Sequence, residues 1–435
     1  MAWQVVIAGG GFGGFYAARA LERLLPRQSA RVTLVNDVNF LLYTPLLPGA
    51  AGAALDPRHV VVPLRSQLPR TDLMIGAVTG ADPARRVLGV RRIDGEHLEL
   101  PYDQLVVALG SVSRTLPIPG LSEHAIGLKS LSDATALRNR MLTSLDIAES
   151  IEDPARRAQY LGFVFVGAGY AGVEGLAELQ DFASEAIELY PRCRAQGMRW
   201  VLIEARERIL QEVPRSLSEF AERELRARGI EVLTDTTLDS VSAGAVKVAG
   251  GREIEARTVV WTAGVKPNPM IARLGLPLDG QGRVIVDATM SVPSQEGGGH
   301  HGARRVWAIG DCAAVPDVRR AGRFAPPTAQ HAIRQGRVVA RNVATTLAGG
   351  RPRRFRYRTK GVVAELGHRQ AVAITLGIRW RGRPAWLIAR TYHLLLMPGM
   401  GRKLRLLIDW NVALLFGRDI ASPGRLGSAT PLEHD

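Results

Sequence analysis

The sequence predicts an α/β fold in which two parallel sheets are built in the same way. Residues 5–21, VVIAGGGFGGFYAARAL, run from an apolar strand through glycines into an Ala- and Leu-rich helix. Residues 163–176, FVFVGAGYAGVEGL, repeat this order further along the chain. Because each glycine motif joins a strand to a helix, we interpret the pair as two Rossmann-like domains.

The first motif places Gly9, Gly11 and Gly14 in the G-x-G-x-x-G spacing. In this spacing the first glycine allows a tight turn and the second lets a pyrophosphate approach the backbone. The third lets the helix pack closely on the strand. The helix N-terminus supplies N–H groups and partial positive charge for the phosphates. The second motif has the same spacing: Gly167, Gly169 and Gly172. One match is weak, but two in the same context predict two dinucleotide sites.

The acid at the end of the next strand distinguishes the two sites. In the second domain, residues 199–210 read RWVLIEARERIL and place Glu204 at the strand end. A carboxylate there accepts both ribose hydroxyls and repels a 2′-phosphate, which favours NAD(H) over NADP(H). Arg206 and Arg208 follow and weaken that exclusion. In the first domain Asn36 takes the acid's position and Asp37 follows it, and the sequence leaves both open as the ribose ligand.

Length and composition bound the architecture. At 435 residues the chain is long enough for two or three domains. No run of about 18 apolar residues occurs, so we expect no membrane-spanning helix. The N-terminus enters the first strand without a signal-peptide pattern, which predicts a protein that stays on the cytoplasmic side.

The positive charge is concentrated in the last quarter of the chain. The formal net charge is +15, and residues 318–435 hold 22 Lys and Arg against 5 Asp and Glu. Such a block can attract nucleic acid, a partner protein or an anionic membrane. No nucleic-acid recognition motif accompanies the charge, so we expect no nucleic-acid partner.

Two apolar runs in this basic block favour a membrane surface. Residues 384–400, PAWLIARTYHLLLMPGM, and residues 401–416, GRKLRLLIDWNVALLF, both have apolar residues at helical spacing. The apolar stripe of the second run consists of Leu404, Leu407, Ile408, Val412 and Leu415. The basic residues predicted to flank it are Arg402, Lys403, Arg405 and Arg418, with Trp410 as an interfacial anchor. A helix of this kind lies in the headgroup plane, although a homodimer interface or an ordinary core helix remains the alternative.

In these motifs the chain resembles the type II NADH dehydrogenases, which are single-subunit NADH:quinone oxidoreductases that carry FAD. The resemblance runs from about residue 3 to about residue 420. Its more specific parts are PPTAQHAIRQG at 326–336 and AVAITLGIRWRGRPAWLIARTYHLLLMPGM at 371–400. YTPLLPGAAG at 43–52, LVVALGS at 105–111, WTAGVKPNP at 261–269 and IGDCA at 309–313 also belong to it.

The resemblance implies binding residues for two nucleotides. Those for FAD are Gly9, Gly11, Phe12, Gly13, Gly14, Asn36, Asp37, Thr44, Pro45, Ala108, Gly110, Asp311, Ala329 and Gln330. Those for NADH are Gly167, Gly169, Tyr170, Gly172, Glu174, Glu204 and Gly264. Asp311 follows a buried strand as part of a Gly-Asp pair, and such an acid meets the ribityl chain of FAD in flavoproteins with two dinucleotide domains.

Three residues are implied in catalysis. Glu174, expected in the first turn of the helix after the second motif, lies in the family between the nicotinamide and quinone sites and handles protons. The family has two glutamines four residues apart near the quinone. Here Gln330 matches the first, and Arg334 replaces the second. Arg334 is a permanent cation that can bind a quinone carbonyl or indicate an anionic acceptor, and Gln335 substitutes for it if the helix register differs.

Cysteine and metal chemistry are not expected. Disulfide reductases and sulfide:quinone oxidoreductases of this superfamily use a reactive cysteine pair, whereas Cys193 and Cys312 stand far apart in sequence. We expect Cys193 in a solvated turn and Cys312 in the interior. His300 and His301 lie in a glycine-rich stretch with no further ligand spacing, so no metal site is predicted.

The predicted order of domains follows from these assignments. Residues 1–118 and 285–348 form the FAD domain, residues 119–284 form the NADH domain, residues 349–420 form the membrane-docking region, and residues 421–435 form a tail. The predicted function is hydride transfer from NADH to FAD and then electron transfer to menaquinone or ubiquinone, without proton pumping. A flavin reductase with a soluble acceptor and a redox-sensing NADH-binding flavoprotein are the alternatives.

Overall fold

The computed structural model describes residues 2–293, 305–359 and 361–422. Contacts divide the chain into two units. The first unit comprises the described parts of Met1–Leu42, Val61–Arg114 and Gly264–Lys360. The second comprises the described parts of Tyr43–Val60, Thr115–Ala263 and Gly361–Asp435. His300, His301 and most of the predicted tail lie outside the described residues.

The described residues form twelve α-helices, which we number in chain order. They are α1 (Phe12–Leu24), α2 (Leu47–Ala51), α3 (Leu64–Gln67), α4 (Leu121–His124), α5 (Leu131–Ser150), α6 (Pro154–Tyr160), α7 (Tyr170–Ala186), α8 (Pro191–Gln196), α9 (Arg215–Ala227), α10 (Ala329–Leu347), α11 (Arg383–Leu396) and α12 (Met400–Phe416).

The strands are numbered in the same way. They are β1 (Trp3–Ala8), β2 (Ala30–Asn36), β3 (Phe40–Leu42), β4 (Val61–Pro63), β5 (Asp72–Asp82), β6 (Val87–Arg92), β7 (His97–Pro101), β8 (Gln104–Val107), β9 (Ser111–Ser113), β10 (Ala125–Gly127), β11 (Gly162–Val166), β12 (Arg199–Ile203), β13 (Ile230–Leu233), β14 (Leu238–Val241), β15 (Ala245–Val248), β16 (Glu253–Glu255), β17 (Thr258–Trp261), β18 (Val265–Pro267), β19 (Val284–Ile285), β20 (Val306–Ala308), β21 (Ala313–Ala314), β22 (Gly361–Glu365), β23 (Ala371–Thr375) and β24 (Ile378–Arg381).

The main sheet of the first unit has the order β20-β8-β1-β2-β5-β6-β7. The pairs from β20 to β5 are parallel, and β5, β6 and β7 continue the sheet as an antiparallel meander. The last four residues of β1 and all four of β8 are buried, as expected for the centre of a parallel sheet covered on both faces. The first predicted Rossmann-like domain is therefore present.

The main sheet of the second unit has the order β10-β17-β11-β12-β13 and is parallel throughout. Every residue of β11 is buried. Helix α7 follows β11 directly, as α1 follows β1 in the first unit, so the strand–glycine–helix unit occurs twice. The predicted α/β class with two Rossmann-like domains is confirmed.

The C-terminal part of the second unit is a small sheet with two helices. Strands β22, β23 and β24 are antiparallel neighbours. Ala371, Ala373 and Ala385 pack into a buried cluster with the partly buried Trp380 and Trp386. This cluster fixes α11 on the sheet. Among the described residues no helix is both long and apolar enough to cross a bilayer.

The division by contacts differs from the predicted domain boundaries. The predicted NADH domain covers 119–284, but 264–284 group with the first unit, and the second unit takes 115–263. The segment 43–60, predicted within the FAD domain, also groups with the second unit. Strand pairing explains the first difference. Strand β18 pairs with β9, and the Asn268 N–H donates to the Gly110 carbonyl at 3.1 Å, which ties the chain after Ala263 to the first unit.

Cys193 differs from the sequence-based prediction, whereas Cys312 agrees with it. Both are free and buried. Cys193 lies in α8, where its thiol contacts the Leu145 carbonyl at 3.6 Å. Burial raises the pKa of the Cys193 thiol to about 12 and that of Cys312 to about 11. Neither thiol is therefore an activated nucleophile at neutral pH.

Candidate nucleotide and acceptor sites

The first glycine of each motif makes the same turn. Gly9 has φ +106° and Gly167 has φ +101°, a region that favours glycine. The Gly9 N–H donates to the Val35 carbonyl at 2.8 Å, and the Gly167 N–H donates to the Ile203 carbonyl at 2.8 Å. Each turn is therefore bonded to the end of the neighbouring strand in the same way.

The third glycine of each motif lies against the first. A Cβ at Gly14 would collide with the Gly9 carbonyl oxygen, and a Cβ at Gly172 would collide with the Gly167 carbonyl oxygen. In the second unit the Thr262 hydroxyl also donates to the Gly167 carbonyl at 2.8 Å. Only glycine lets each helix start this close to its loop.

The second glycine of each motif faces open space. Gly11 and Gly169 are the N-cap residues of α1 and α7, and neither provides a side-chain cap. Both have extended backbones, and a Cβ at either would meet nothing within 4 Å. The chain itself therefore does not require glycine there, whereas a pyrophosphate lying against the helix start does. These two cradles fit the phosphates of FAD and NADH.

Asn36 and Asp37 of the first unit lie in different surroundings. The Asn36 side-chain oxygen accepts from the Gly10 N–H at 2.7 Å, while Asp37 is exposed beyond the strand end. Glu204 accepts from the Ala168 N–H at 2.7 Å in the same position of the second unit. Asn36 therefore takes the same position in the first unit as Glu204 does in the second.

The other predicted FAD residues of the first unit gather at the strand ends. Asp311 lies in a short 3-10 turn, Gly310–Cys312, where it accepts from the Ser111 hydroxyl at 2.7 Å. Ala108 and Gly110 follow β8, and Gly110 has φ +67°. Gly264, predicted to contact NADH, is grouped with this unit as well and accepts from the Arg114 N–H at 3.1 Å. Thr44 and Pro45 lie in a 3-10 turn of the second unit, Thr44–Leu46.

Helix α10 organises the predicted acceptor residues of the first unit. Ala329 is its first residue, after the N-cap Thr328. The Gln330 side-chain oxygen accepts from the Tyr357 hydroxyl at 3.1 Å. The Arg334 guanidinium lies 4.2 Å from the centre of the Tyr357 ring and donates to the Gln330 carbonyl at 3.0 Å. Tyr357 therefore joins the two predicted residues, although the sequence analysis did not single it out.

Gln335 cannot take the place of Arg334. It is 2% exposed, and its side-chain oxygen accepts from the Gly310 N–H at 2.7 Å. Its role is to bind the Gly310 turn to α10. His331 lies beside the cluster, edge-on to Tyr357 with 5.0 Å between ring centres. Burial, reinforced by Arg334, lowers the pKa of His331, so its imidazole is neutral at pH 7.

Glu174 lies in the second turn of α7 and not in the first turn, which contains no acid. The helix dipole therefore contributes less to its charge than expected. One carboxylate oxygen accepts from the Glu365 N–H at 3.1 Å. Burial, followed by the Glu365 charge, raises the pKa of Glu174 well above its ordinary value. Within the described residues no cation pairs with Glu174, so no ion pair there offsets the effect of burial, which favours its protonated form.

Glu174 belongs to a buried array of charged residues in the second unit. Glu178 and Asp181 follow it on the same face of α7 and are 4% and 8% exposed. Asp181 pairs with Arg228, and Arg418 lies 3.2 Å from Glu178. Glu365 pairs with Arg390 at 3.4 Å. Four acids thus face three arginines, and burying an uncompensated charge is costly, so the array is expected to retain one proton. The sequence did not indicate Glu365.

The array predicts a pH-dependent stability. Burial raises the pKa of Glu365 to about 7, against the opposing effect of Arg390. The folded state therefore binds more protons than the unfolded chain between about pH 4.5 and 7. The free energy of unfolding is higher below this range, and this advantage is lost as pH rises through it. We expect the unfolding free energy of the wild type to fall relative to Glu365→Gln from pH 5 to 8, by on the order of 1–3 kcal/mol.

Thermal or urea unfolding at several pH values measures this difference. Glu253→Gln, an exposed glutamate on β16, is the control with the same change in charge. Parallel pH profiles for the wild type and Glu365→Gln would contradict the assigned protonation.

Helix α12 presents its apolar stripe to solvent. Leu404, Leu407, Ile408, Val412 and Leu415 are between 40% and 71% exposed, and Leu406 is its only residue classed as buried among the described ones. One predicted flanking residue and the predicted anchor make tertiary contacts. Arg418 is in the buried array, and the partly buried Trp410 lies under the Arg390 guanidinium at 4.6 Å.

Comparison with known proteins agrees with this geometry. The family model of pyridine nucleotide-disulphide oxidoreductases matches residues 3–336. The type II NADH:quinone oxidoreductase Ndh of Mycobacterium tuberculosis is 31% identical over 430 residues, which covers 95% of this chain and 89% of that protein. The demethylphylloquinone reductase NdbB of Synechocystis is 29% identical over 414 residues, which covers 94% of this chain and 95% of that protein.

A solved structure supports the fold. NDH2 of Plasmodium falciparum in complex with NADH aligns with a TM-score of 0.88 at 18% identity, covering 97% of this chain and all of that one. With two nucleotide loops of the same geometry and these matches along nearly the whole chain, this protein is an enzyme of the pyridine nucleotide-disulphide oxidoreductase family, in which it belongs to the type II NADH dehydrogenases.

Proposed function

We propose that this chain oxidises NADH by way of bound FAD and delivers the two electrons to a membrane quinone, without pumping protons. The observation that carries the proposal is the pair of matching phosphate cradles, at Gly9–Gly14 and Gly167–Gly172, in a chain 31% identical to a type II NADH:quinone oxidoreductase. When bound, FAD accepts a hydride from NADH and passes two electrons to the acceptor.

The strand-end residues bind and select the nucleotides. Asn36 and Glu204 are each held by a loop N–H, which leaves their side chains at the place where a ribose meets the strand end. The Glu204 charge disfavours a 2′-phosphate, and this supports NADH as the reductant. Arg208 does not oppose it, because its guanidinium donates to the carbonyls of Gln211 and Val213 at 2.8 and 3.0 Å.

Glu174 is the proposed proton donor. Quinone reduction consumes two electrons and two protons, of which the hydride of NADH carries one proton and solvent supplies the other. A carboxyl group whose pKa is raised can donate a proton to a developing quinolate oxygen. Burial and then the charge of Glu365 raise the pKa of Glu174 in this way.

Gln330, Arg334 and Tyr357 are the proposed acceptor-orienting residues. The side-chain amide of Gln330 can donate to a quinone carbonyl, and the Arg334 guanidinium can stabilise developing negative charge. The Tyr357 ring contacts the Arg334 guanidinium and so restricts its motion. This positioning favours a neutral quinone that gains charge during reduction.

Steady-state NADH oxidation by the purified protein tests the proposed function. We expect high turnover with a short-chain menaquinone or ubiquinone and little without a quinone. Fast turnover with ferricyanide or oxygen but not with quinones would favour a reductase with a soluble acceptor. Slow turnover with every acceptor would favour a redox-sensing role.

Docking at the cytoplasmic face of an anionic membrane is the proposed location. This proposal is supported by the exposed stripe of α12. It is also supported by Leu387 and Leu395 of α11, whose exposed fractions are 62% and 66%. Arg402, Lys403 and Arg405 lie on the same helix as the stripe. Apolar burial and basic contacts to lipid headgroups act together on such a helix. A homodimer would be the other way to cover this stripe.

Replacing apolar residues of the stripe is expected to weaken vesicle binding. Leu404→Gln/Ile408→Gln should reduce cosedimentation with anionic vesicles about tenfold, because two partly inserted side chains are lost. Ile93→Gln/Leu189→Gln, at isolated exposed positions, is the matched control. A monomer–dimer shift with unchanged vesicle binding would identify the stripe as a subunit interface.

A further inference from the structure

A basic groove runs between α1 and α10 on the first unit, outside the nucleotide and acceptor clusters. The two helices cross closely at Gly336, where a Cβ would collide with the Gly13 carbonyl. A cavity of about 450 Å³ lies between the two helices, which is the size of a small-molecule site. Its wall contains Tyr16, Arg19, Arg23, Arg337 and Arg341, with Leu24 at one end.

In the described part of the chain the four arginines of the groove have no acidic partner. Arg19 and Arg23 are one turn apart on α1, and Arg337 and Arg341 are one turn apart on α10. Like charges at this spacing repel each other. Within the described residues none of the four forms an ion pair, unlike the exposed Arg85, which pairs with Glu99 at 2.8 Å.

The acid nearest in sequence does not neutralise the groove. Glu22 accepts from the Arg70 N–H and the Thr71 hydroxyl, each at 2.8 Å, and so is engaged elsewhere. The Arg337 guanidinium lies 5.0 Å from the centre of the Tyr16 ring, which orders it without removing its charge. Burial raises the pKa of Tyr16, so its hydroxyl keeps its proton and can donate. The charged groups that line the groove are therefore all donors.

We infer that this groove binds a small soluble anion carrying two or more linked phosphates, such as an inorganic polyphosphate or a nucleoside di- or triphosphate. Guanidinium groups bind phosphate oxygens through paired, charge-assisted hydrogen bonds. Arginines one turn apart are about 5–6 Å from each other at their Cβ atoms, and two such rows face each other. This spacing suits a chain of phosphates better than a single one. The site is separate from the proposed redox reaction.

Calorimetric titration of the FAD-loaded protein with tripolyphosphate tests the site. Saturating NAD⁺ is included so that the glycine loop of the second unit is occupied. We expect one saturable site in the wild type and at least a tenfold weaker Kd in Arg337→Gln/Arg341→Gln. Arg351→Gln/Arg354→Gln removes the same charge from exposed positions of the first unit and should bind as the wild type does. Flavin absorbance and melting temperature report the folding of each variant, and Arg19→Gln/Arg23→Gln provides a second test from the opposite wall.

Further arms of the experiment identify the ligand. ADP should bind and AMP should bind far more weakly if linked phosphates are required. If the groove and control variants weakened tripolyphosphate binding equally, the binding would reflect general charge attraction and the inference would be overturned. The absence of saturable binding in the wild type would also overturn it. Loss of binding to anionic vesicles in the groove variant, with tripolyphosphate binding unchanged, would assign the groove to a lipid surface and overturn it as well.

Discussion

Gly14→Ala is expected to yield a protein without bound flavin, and Gly172→Ala a protein that retains flavin but no longer responds to NADH. In both cases the new Cβ collides with a carbonyl oxygen of the preceding loop, at Gly9 or at Gly167. The helix must then move away from its strand, which lowers the free energy of unfolding by about 3 kcal/mol or more. Since the two loops lie in different units, each variant serves as a control for the other.

Visible flavin absorbance and the KM for NADH measure these effects. Gly280→Ala is the matched neutral change, because Gly280 is exposed and a Cβ there would meet nothing within 4 Å. Gly11→Ala and Gly169→Ala separate folding from binding. Their backbones accept a side chain, so these variants should fold normally and lose nucleotide affinity. Wild-type flavin content in Gly14→Ala and Gly11→Ala together would exclude this loop as the FAD site.

Glu174→Gln should lower quinone-dependent NADH oxidation about 100-fold, within the range typical of a lost general acid. Reduction of the flavin by NADH in the absence of quinone should change much less. Glutamine can still accept from the Glu365 N–H, so the local structure is retained. Stopped-flow measurement of the two half-reactions separates these effects, and an equal loss in both would indicate a role in binding NADH.

The pH profile distinguishes a proton donor from a structural residue. The protonated carboxyl of Glu174 is the active form, so the rate of quinone reduction should fall as pH rises above its raised pKa. The Glu365 charge is one cause of that raised pKa. Glu365→Gln removes it, which lowers the pKa of Glu174 and moves the fall in rate to lower pH. An unchanged profile would show that Glu174 is not the titrating group.

Several features followed from the sequence because they depend on neighbouring residues. The strand–glycine–helix units are set by local apolar runs and by glycines at fixed spacing, and both occur as predicted. The same holds for the stripe from Leu404 to Leu415, since helical periodicity places these residues on one face. Their exposure agrees with the absence of a covering element in the described part of the chain.

What only the tertiary structure decided was the choice of partner for each polar side chain. Glu174 and Glu365 are 191 residues apart and meet because β22 packs on α7. Arg418, which was predicted at a surface, instead pairs with Glu178 in the buried array. The same kind of contact bonds Asn36 to the Gly10 N–H, and Cys193 is buried although the sequence predicted a solvated turn. Backbone geometry is determined over a few residues, whereas the pairing and pKa of a buried charge depend on elements that only folding brings together.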